Sequence, residues 1–553
     1  MKVFFSWGKW LILGMRSTSP ILALLTCLFM ASQVVAAGTF YVDPISGSAA
    51  GDGSAANPWK TLEEVFGDNL IESQKPAVYP YNGTLQSRNL GAPIKAGDTI
   101  KLRSGYHGKI FESGYFNSEI ITIEADAGHT PELHGFTMRG AENWALRGLT
   151  VSPELAGVID TGSIVKFETH NWHGPASNMS IEDSTIYSTA DSSAWTAADW
   201  TSKAAHGIQV NGSNFQIRNN TITNVNFGIL TGGDDILAES NTIRNFAGDG
   251  MRGGGDRVTY QYNTIKGPYD VDGNHDDGIQ FFQGHGVPSY DVVLRGNYIE
   301  TFADPAHPLM HGSQGLGMFD GPYIDWIVEN NVVMTTAAFH GISLYDAENA
   351  QVVNNTVLDI TGQSEPWILL NDSTNSTMRN NLAFKHLTTG SSSLTSDHNI
   401  TLNNGNLDAI FEDWQNGVLR LKDGSLAIDA GSNTLAPASD IDGRPRPIGA
   451  SVDIGAFEYA LSGDFDSDGD VDGSDFLLWQ LGLGILEGAG FSDGDANADG
   501  AVNELDITLW QSAYGDNLNS LASAGSSANS VPEPNTCILL AVAISLVSLR
   551  MRK

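Results

Sequence analysis

The stretch "FQIRNNTI" (residues 215–222) alternates apolar and polar residues before an asparagine pair, and the chain repeats this plan, for example as "AQVVNNTV" (350–357). In each copy, the third residue from the end is used to mark the repeat. The marked residues are Ser184, Asn220, Asn241, Asn263, Asn297, Asn331, Asn355 and Asn381. Their spacing runs from 21 to 36 residues. A basic period in the low twenties predicts a solenoid, whose units bury their apolar faces against one another.

Alternation with a period of two predicts that each unit consists of short strands joined by turns. Stacked coils should then lie about 4.8 Å apart, the spacing of neighbouring strands. These features predict an all-β parallel β-helix. An asparagine at the same point of every coil predicts a ladder within a turn, in which side-chain amides bond to one another and to the backbone.

Both ends of the repeat region resemble a known family. The beginning carries "TFYVDPISGSAAGDGSAANPWKTLEEVF" (39–66) and "AGDTIKLRSGYHG" (96–108), and the end carries "SLAIDAGSN" (425–433) and "DIDGRPRPIGASVDIGAFEYA" (440–460). With the repeats, these segments resemble right-handed parallel β-helix proteins of the pectate-lyase-like group. The resemblance implies one such domain over residues 38–460, with a capping helix around 58–66. This scaffold hosts lyases, hydrolases, epimerases and surface proteins, so it does not determine the chemistry.

The two termini indicate export. Residues 1–37 combine three basic residues, an apolar run over 21–30 and small residues up to Ala37, which predicts a signal peptide. Residues 531–553, "VPEPNTCILLAVAISLVSLRMRK", resemble a PEP-CTERM sorting tail, with a hydrophobic tail anchor as the alternative. Residues 517–530 predict a flexible linker. We therefore expect a secreted protein, sorted to the cell surface or extracellular matrix, that meets the membrane only transiently through this tail.

The formal charge is −35, from 64 acidic and 29 basic residues. Such a charge excludes nucleic acid and anionic membrane surfaces as expected partners, and it fits a calcium-rich extracellular setting. Both cysteines, Cys27 and Cys537, lie in the terminal segments. We therefore expect no disulfide in the processed protein, whose stability must come from its core or from metal ions.

Two loops after the repeats, at 464–475 and 495–506, have the oxygen spacing of calcium-binding loops, with a glycine at the sixth position of each. The candidate metal ligands are Asp464, Asp466, Asp468, Asp472, Asp475, Asp495, Asn497, Asp499, Asn503 and Asp506. Each loop leads into an apolar, helix-like stretch. Residues 461–516 resemble a type I dockerin, a small α-helical calcium-binding module. The resemblance implies two calcium ions and a cohesin-like partner; the alternative is a calcium-stabilised spacer.

Several coils share a motif of one variable residue, a glycine and an apolar residue. Stacking predicts that the variable residues form a first column, His206, Phe227, Asp249, Asp277, Gln314 and His340. Three positions further along lies a second column, Gln209, Leu230, Arg252, Gln280, Gly317 and Ser343. If the apolar residue faces the core, strand alternation turns the second column outward.

Long insertions between the marked asparagines 263, 297 and 331 bring further polar residues near these columns. Loops over a rigid scaffold often carry binding groups, so the crowding predicts a functional site. His275 and Asp276 interrupt the repeat, whereas Asp277, His206 and His340 have an alternative role as turn residues. The candidate substrate-binding residues are His206, Gln209, Gln280, His311 and His340.

Two mechanisms remain open for a polysaccharide substrate. The family resemblance implies a calcium-assisted lyase that cleaves uronate-containing glycans by β-elimination, with Arg252 as the base, Asp249 and Asp277 as possible ligands of a calcium ion in the groove, and His275 assisting. The rival is an inverting glycoside hydrolase that takes two carboxylates from Asp249, Asp276 and Asp277. A non-catalytic surface protein that binds glycan is the third hypothesis. Of these three, the sequence favours the lyase narrowly.

Overall fold

The structure is a computed structural model that describes residues 37–516, except 274, 285, 302–307, 310, 311, 337, 487, 498 and 499. The predicted signal peptide, apart from Ala37, the linker and the sorting tail lie outside the described residues, as do His311 and Asp499. No helix within the described ranges is long and apolar enough to cross a membrane.

Short parallel strands stack into three rows, confirming the predicted coil architecture. Row A comprises Ser163–Glu168, His206–Asn211, Ile229–Gly232, Met251–Gly253, Asp277–Phe281, Gln314–Met318, His340–Tyr345, Trp367–Asn371 and Lys385–Leu387. Row B comprises Thr39–Val42, Thr99–Leu102, Ala176–Glu182, Ser213–Arg218, Ile236–Glu239, Thr259–Gln261, Val293–Arg295, Ile327–Glu329, Gln351–Val353, Thr377–Arg379 and Thr395–Asp397. The long strands Lys109–Ala125 and Gly135–Arg147 contribute to both rows.

Row C closes each coil on the remaining side. It comprises Gly105–Tyr106, Pro131–Leu133, Thr150–Val151, Thr185–Tyr187, Thr221–Val225, Thr242–Phe246, Thr264–Pro268, Tyr298–Glu300, Val332–Thr335, Thr356–Asp359, Leu382–Ala383 and Ile400–Thr401. A short outer sheet comprises Ser289–Tyr290, Tyr323–Ile324 and Ala347–Glu348, and antiparallel hairpins comprise Ser73–Pro76 with Leu85–Arg88 and Phe411–Asp413 with Val418–Leu421. Apolar side chains from the three rows form one continuous core along the axis.

The predicted asparagine ladder is confirmed in the turn between rows B and C. Asn297 is typical: its amide nitrogen donates to Oδ1 of Asn331 at 3.0 Å and to the Tyr260 carbonyl oxygen at 2.8 Å. Its own Oδ1 accepts the backbone N–H and the side-chain amide of Asn263. Equivalent bonds link Asn220, Asn241, Asn263, Asn297, Asn331, Asn355, Asn381 and Asn399. Because these amides are satisfied, their burial carries no unpaired polar group.

The glycine of each variable-Gly-apolar motif lies where two coils approach most closely. A Cβ atom on Gly228 would lie 2.3 Å from the carbonyl oxygen of Gly250 and 2.6 Å from Cγ2 of Ile243 in row C. The equivalent glycines, Gly207, Gly250, Gly278, Gly315 and Gly341, face the next coil in the same way. The motif is therefore a packing requirement that recurs once per coil.

The five helices of the described chain lie outside the coils. They are α1 (Leu62–Gly67), α2 (Ala197–Lys203), α3 (Leu407–Ile410), α4 (Gly473–Gly482) and α5 (Glu504–Ala513), and 3₁₀ turns cover Pro153–Ala156, Trp414–Asn416 and Phe491–Asp493. Helix α1 matches the expected capping helix and buries Leu62, Val65 and Phe66. Its first turn is capped by Thr61, whose side chain accepts the N–H of Glu64 at 3.1 Å.

The segment 427–460 runs back along the last coils and bonds to Asn330, Asn354 and Asn380, which precede three of the ladder asparagines. Asn330 donates to the carbonyl oxygen of Ser439 at 2.6 Å, and Asn380 donates to that of Ser432 at 2.9 Å. A fully buried ion pair joins Arg446 to Glu458 at 2.7 Å. These contacts bind the last segment to the turn between rows B and C.

Helices α4 and α5 are related by an internal duplication. The indole of Trp479 in α4 donates to the carbonyl oxygen of Asn503, the N-cap of α5, at 3.1 Å. The indole of Trp510 in α5 donates in turn to Asp472, the N-cap of α4, at 3.0 Å. This reciprocal contact pairs the two loop-helix units that the sequence predicts.

We expect Gly228→Ala to destabilise the protein by about 1–3 kcal/mol, because its Cβ atom would meet a backbone carbonyl that cannot move alone. The matched control is Gly67→Ala at the end of α1, where a Cβ atom meets nothing within 4 Å. Chemical denaturation of both variants measures the difference. Equal stability of the two variants would contradict the packing argument.

Candidate functional site

The two predicted columns lie in register on row A. Backbone pairing aligns Gln209 with Leu230, Leu230 with Arg252 and Arg252 with Gln280. It also pairs Asp277 directly with Gln314. The apolar residues of the motif are fully buried, namely Ile208, Ile229, Met251, Ile279, Leu316 and Ile342. We refer to the surface of row A that runs along these two columns as the groove; Asp249 and Asp277 lie buried beneath it.

Asp249 and Arg252 form an ion pair on one coil. The guanidinium Nε donates to Oδ2 of Asp249 at 2.5 Å, and the other carboxylate oxygen accepts the backbone N–H of Asp277 at 3.1 Å. Asp249 has no exposed side-chain surface, whereas 34% of the Arg252 side chain is exposed. The guanidinium carbon lies 4.6 Å from the centre of the Phe227 ring. The buried carboxylate and the ring together hold an exposed cation in place.

Asp277 and His275 form a second contact on the next coil. Nδ1 of His275 lies 3.5 Å from Oδ2 of Asp277, whose side chain is fully buried, while 63% of the histidine side chain is exposed. Neither carboxylate oxygen of Asp277 has a hydrogen-bond partner among the described residues. Its Oδ1 lies 2.7 Å from the position that a Cβ atom on Gly317 would occupy. The glycine of the second column therefore leaves room for this carboxyl group.

The two aspartates on adjacent coils both have a raised pKa, and burial is the main cause. Burial, with the negative charges of Asp249 and Asp276, raises the pKa of Asp277 to about 8. Burial also raises the pKa of Asp249, although Arg252 opposes that shift. Shifts of this kind are characteristic of functional sites, although structural ion pairs produce them too.

Aromatic rings flank these pairs along the groove. The imidazole of His206 packs 5.2 Å from the Phe227 ring. Beyond the Asp277 coil, His340 lies between Phe319 at 5.4 Å and Trp367 at 4.8 Å. Burial lowers the pKa of both histidines, so they favour the neutral form. The groove thus presents flat apolar faces on both sides of its charged centre.

The remaining candidate residues occupy less distinctive positions. Gln209 lies in the second column and accepts a hydrogen bond from the Ser163 hydroxyl at 2.7 Å. Gln280 lies beside Arg252 on the next coil. Asp276 is 8% exposed and acts on Asp277 through its charge.

A basic cleft lies at the N-terminal end of the groove, where the sequence motifs predict no site. The cleft has a volume of about 310 Å³ and reaches His206 and Gln209 at its inner end. Its cationic lining residues are Lys109, Arg139 and Lys166. They belong to strands that precede the first variable-Gly-apolar motif, so the motif does not mark them. The signal that could have found them is the alignment of Lys166 with Gln209, which continues the second column.

One of the two predicted calcium loops brings three carboxylates together. Oxygen atoms of Asp464, Asp466 and Asp468 all lie within 4.8 Å of one another, which is a suitable donor set for a hard cation. Burial and the neighbouring charges raise the pKa of Asp464 to about 7. Among the described residues, these three carboxylates are the one group of acidic, histidine or cysteine side chains whose ligand atoms lie close enough together to share a metal ion.

The later loop positions stabilise helix starts. Asp472 is the N-cap of α4 and accepts the N–H of Ser474, while Asp475 accepts the N–H of Asp472. Asn503 and Asp506 repeat this arrangement at the start of α5. In the second loop, buried Asp495 accepts the N–H of Gly500 at 2.8 Å, and Asn497 donates its backbone N–H to Asp506 at 3.2 Å. The candidate ligands at these positions therefore also have a structural role.

Comparison with known families decides the handedness of the coils. Residues 174–407 match the family model described as "Right handed beta helix region". The fold is a right-handed parallel β-helix. Within the β-helix, the matched range includes the whole of both columns from His206 to Ser343 and ends before the segment that carries α4 and α5.

Solved structures with similar folds share little sequence with this chain. Pectate lyase Pel9A is 14% identical, with a TM-score of 0.40, over 76% of this chain and 96% of that chain. The A-module of the mannuronan C-5 epimerase AlgE6 from Azotobacter vinelandii is 14% identical, with a TM-score of 0.37, over 55% and 82%. The surface adhesin PfbA of Streptococcus pneumoniae is 12% identical, with a TM-score of 0.34, over 55% and 80%. No curated protein sequence gives a significant match.

We expect Asp277→Asn to change how stability depends on pH. Between about pH 4 and pH 8 the folded protein keeps a proton on Asp277 that the unfolded chain has lost, so wild-type stability falls as pH rises through this window. The neutral amide removes that dependence. The stability of the variant relative to wild type should therefore increase from acidic to mildly basic pH, measured by chemical denaturation at several pH values. Parallel pH profiles for wild type and variant would contradict the raised pKa, and exposed Asp68→Asn serves as the control.

Proposed function

We propose that this protein acts outside the cell on an acidic polysaccharide bound along the groove, and that it cleaves the chain by β-elimination. The observation that carries the proposal is the pair of exposed, positioned side chains at the centre of the groove. Arg252 is held by buried Asp249, and His275 lies against buried Asp277. Export remains a prediction from the terminal sequences, which lie outside the described residues.

Uronate elimination requires a cation that neutralises the sugar carboxylate and a base that removes the C5 proton, and the two exposed groups can supply them. The Arg252 guanidinium would bind the sugar carboxylate and neutralise it, which acidifies the proton at C5. His275 would accept that proton. The electrons of the C5–H bond then form a C4–C5 double bond, the C4–O bond breaks, and the leaving oxygen takes up a proton. Asp249 and Asp277 act as positioning residues, because neither has exposed surface with which to touch a sugar.

This assignment differs from the family analogy in the identity of the base. An arginine stays protonated in proteins, and the Arg252 guanidinium is already engaged in a charge-assisted bond to Asp249. Arg252 is therefore suited to binding the sugar carboxylate and unsuited to removing the C5 proton. It also supplies the positive charge for which a calcium ion in the groove was invoked.

Hydrolysis is the second candidate function, and the raised pKa of Asp277 is the observation that favours it. A carboxyl group that is neutral at pH 7 can protonate a leaving oxygen, with Asp249, which pairs with Arg252, as the second carboxylate. The full burial of both groups weighs against this alternative. The products differ: β-elimination yields an unsaturated uronate that absorbs ultraviolet light, whereas hydrolysis yields reducing ends without that absorbance.

We expect Arg252→Gln and His275→Gln each to lower kcat/KM on a polyuronate by on the order of 100-fold or more, since each removes a group that acts at the reacting sugar. Ultraviolet absorbance and a reducing-end assay, run in parallel on a panel of acidic and neutral polysaccharides, measure the effect. Arg295→Gln is a matched control, because Arg295 is also 34% exposed and paired with a largely buried carboxylate, but on row B. His398→Gln is the control for His275, since His398 contacts Asp397 away from row A.

Three outcomes would reject or revise this assignment. Binding of a glycan without any product, on the whole panel, would support a non-catalytic surface protein. Reducing ends without ultraviolet absorbance would support hydrolysis. Equal losses in the control variants would show that the effect on activity comes from folding.

We further propose that the loop 464–475 binds calcium, with Asp464, Asp466 and Asp468 among its ligands. The second loop, which contains Asp499, is proposed as an equivalent site from its sequence spacing. Calcium chemistry here would be structural, stabilising the loops that begin α4 and α5. A cohesin-like partner for this module remains a prediction from the dockerin resemblance.

We expect calcium to raise the melting temperature of the segment that carries α4 and α5, and chelator to lower it, because an ion that binds only the folded state stabilises it. Isothermal titration should show two sites in the wild type and one in Asp468→Ala. Exposed Asp413→Ala, which lies before the loops, is the control. An unchanged stoichiometry in Asp468→Ala would contradict the first site.

A further inference from the structure

The N-terminal cleft concentrates positive charge in a protein whose formal charge is −35. Its lining includes three cations, Lys109, Arg139 and Lys166, and one carboxylate, Asp160. Such a local reversal of sign attracts anions despite the overall charge, and the effect weakens as salt increases. The cleft has a volume of about 310 Å³, which is large enough to admit part of a ligand.

The ion pairs within the cleft leave one cation in excess. Lys109 pairs with Asp160 at 2.9 Å. Arg139 and Lys166, however, both pair with the single carboxylate of Glu168. Burial alone would raise the pKa of Glu168, but the two cations lower it below its ordinary value, so the glutamate is ionised. One carboxylate between two cations leaves a net positive charge, and both cations keep exposed surface.

An apolar platform accompanies this charge. The Phe111 ring is 54% exposed and lines the cleft, and the guanidinium carbon of Arg139 lies 4.7 Å from its centre. Flat apolar rings beside hydrogen-bonding groups are common in binding pockets. The cleft therefore combines a face for the apolar side of a sugar ring with donors for an anionic substituent.

The cleft continues the columns that carry Arg252. Lys166 pairs with Gln209, Gln209 with Leu230, and Leu230 with Arg252, which are three coil steps. At about 4.8 Å per coil, the two cations are separated by roughly 14 Å along the axis. His206, which lines the inner end of the cleft, packs against Phe227, and Phe227 lies beneath Arg252. One continuous surface thus joins the two positive regions.

We propose that the N-terminal cleft is a second anion subsite, in which Lys166 and Arg139 bind an acidic sugar of the same glycan chain that Arg252 engages. The anionic substituent is a carboxylate or a sulfate ester, which these donors recognise alike. The inference rests on the proposed function in one respect, namely that an acidic glycan lies along the groove. It makes the substrate an oligosaccharide long enough to span three coils, with acidic sugars at both ends of that span.

The test measures binding of short and long oligosaccharides to the full-length protein by calorimetry at low and high salt. Dimers and hexamers of a uronate, a sulfated neutral sugar series and an unsubstituted series serve as probes. In the wild type, hexamers of an acidic series should bind more tightly than dimers. Lys166→Gln and Arg139→Gln should each weaken hexamer binding by on the order of 10-fold, because each removes a charge-assisted contact. Lys166→Arg, which keeps the charge, should restore the affinity.

The matched control is Lys101→Gln. Lys101 has a similar exposure to Lys166 (26% against 24%) and also pairs with a glutamate, but it lies on row B outside the groove. Its substitution should leave hexamer affinity unchanged, and melting temperatures confirm that all variants fold. The acidic series that responds to Lys166→Gln identifies the substituent as carboxylate or sulfate.

The inference is overturned if Lys166→Gln leaves hexamer affinity unchanged, if Lys101→Gln weakens it equally, or if the unsubstituted series binds as tightly as the acidic ones. These results are separable from the cleavage proposal. A protein that forms no product but loses hexamer binding in Lys166→Gln has the subsite without the proposed activity. A protein that cleaves polyuronate but shows no response to Lys166→Gln has the activity without the subsite.

Discussion

The contact on which the fold depends most is the approach of successive coils at the glycine of the variable-Gly-apolar motif. At this corner a Cβ atom on Gly228 would lie 2.3 Å from the backbone of the next coil. The two backbones can approach so closely only because the residue between them, a glycine, has no side chain. The apolar residue after the glycine must face the core. A slip of one residue would turn that apolar residue outward. The contact therefore keeps the coils in register and makes the two columns continuous.

Continuous columns have an electrostatic consequence at Asp249 and Asp277. Register places two carboxyl groups on adjacent coils, about one strand spacing apart, where both are buried. Ionising both without compensation would be costly. Asp249 is compensated by Arg252, and the raised pKa keeps a proton on Asp277. The outcome is a rigid, buried support beneath two exposed side chains, which is the arrangement that a binding or catalytic centre requires.

Much of this arrangement is predictable from repeat spacing. The asparagine ladder and the alignment of Asp249 with Asp277 follow from counting residues between copies of one motif. The choice of partner does not follow from this spacing. Arg252 is three residues from Asp249, but a sequence does not reveal that Nε bonds to that carboxylate and is held in place by it. The basic cleft also escaped prediction, because Lys166 reaches the second column through a coil lengthened by α2, in a strand without the glycine motif.

The sequence by itself determined the coil, its inward and outward positions, the ladder and the paired loop-helix units, because each depends on local patterns that recur at fixed spacing. Only the tertiary structure decided which polar groups are buried and which are exposed. The sequence offers Asp249 and Asp277 as catalytic carboxylates, yet the structure encloses both fully, whereas Arg252 and His275 reach solvent. Burial and ion pairing depend on side chains from neighbouring coils. The residues that enclose or pair with one group therefore lie far apart in the chain, and local sequence patterns do not show them.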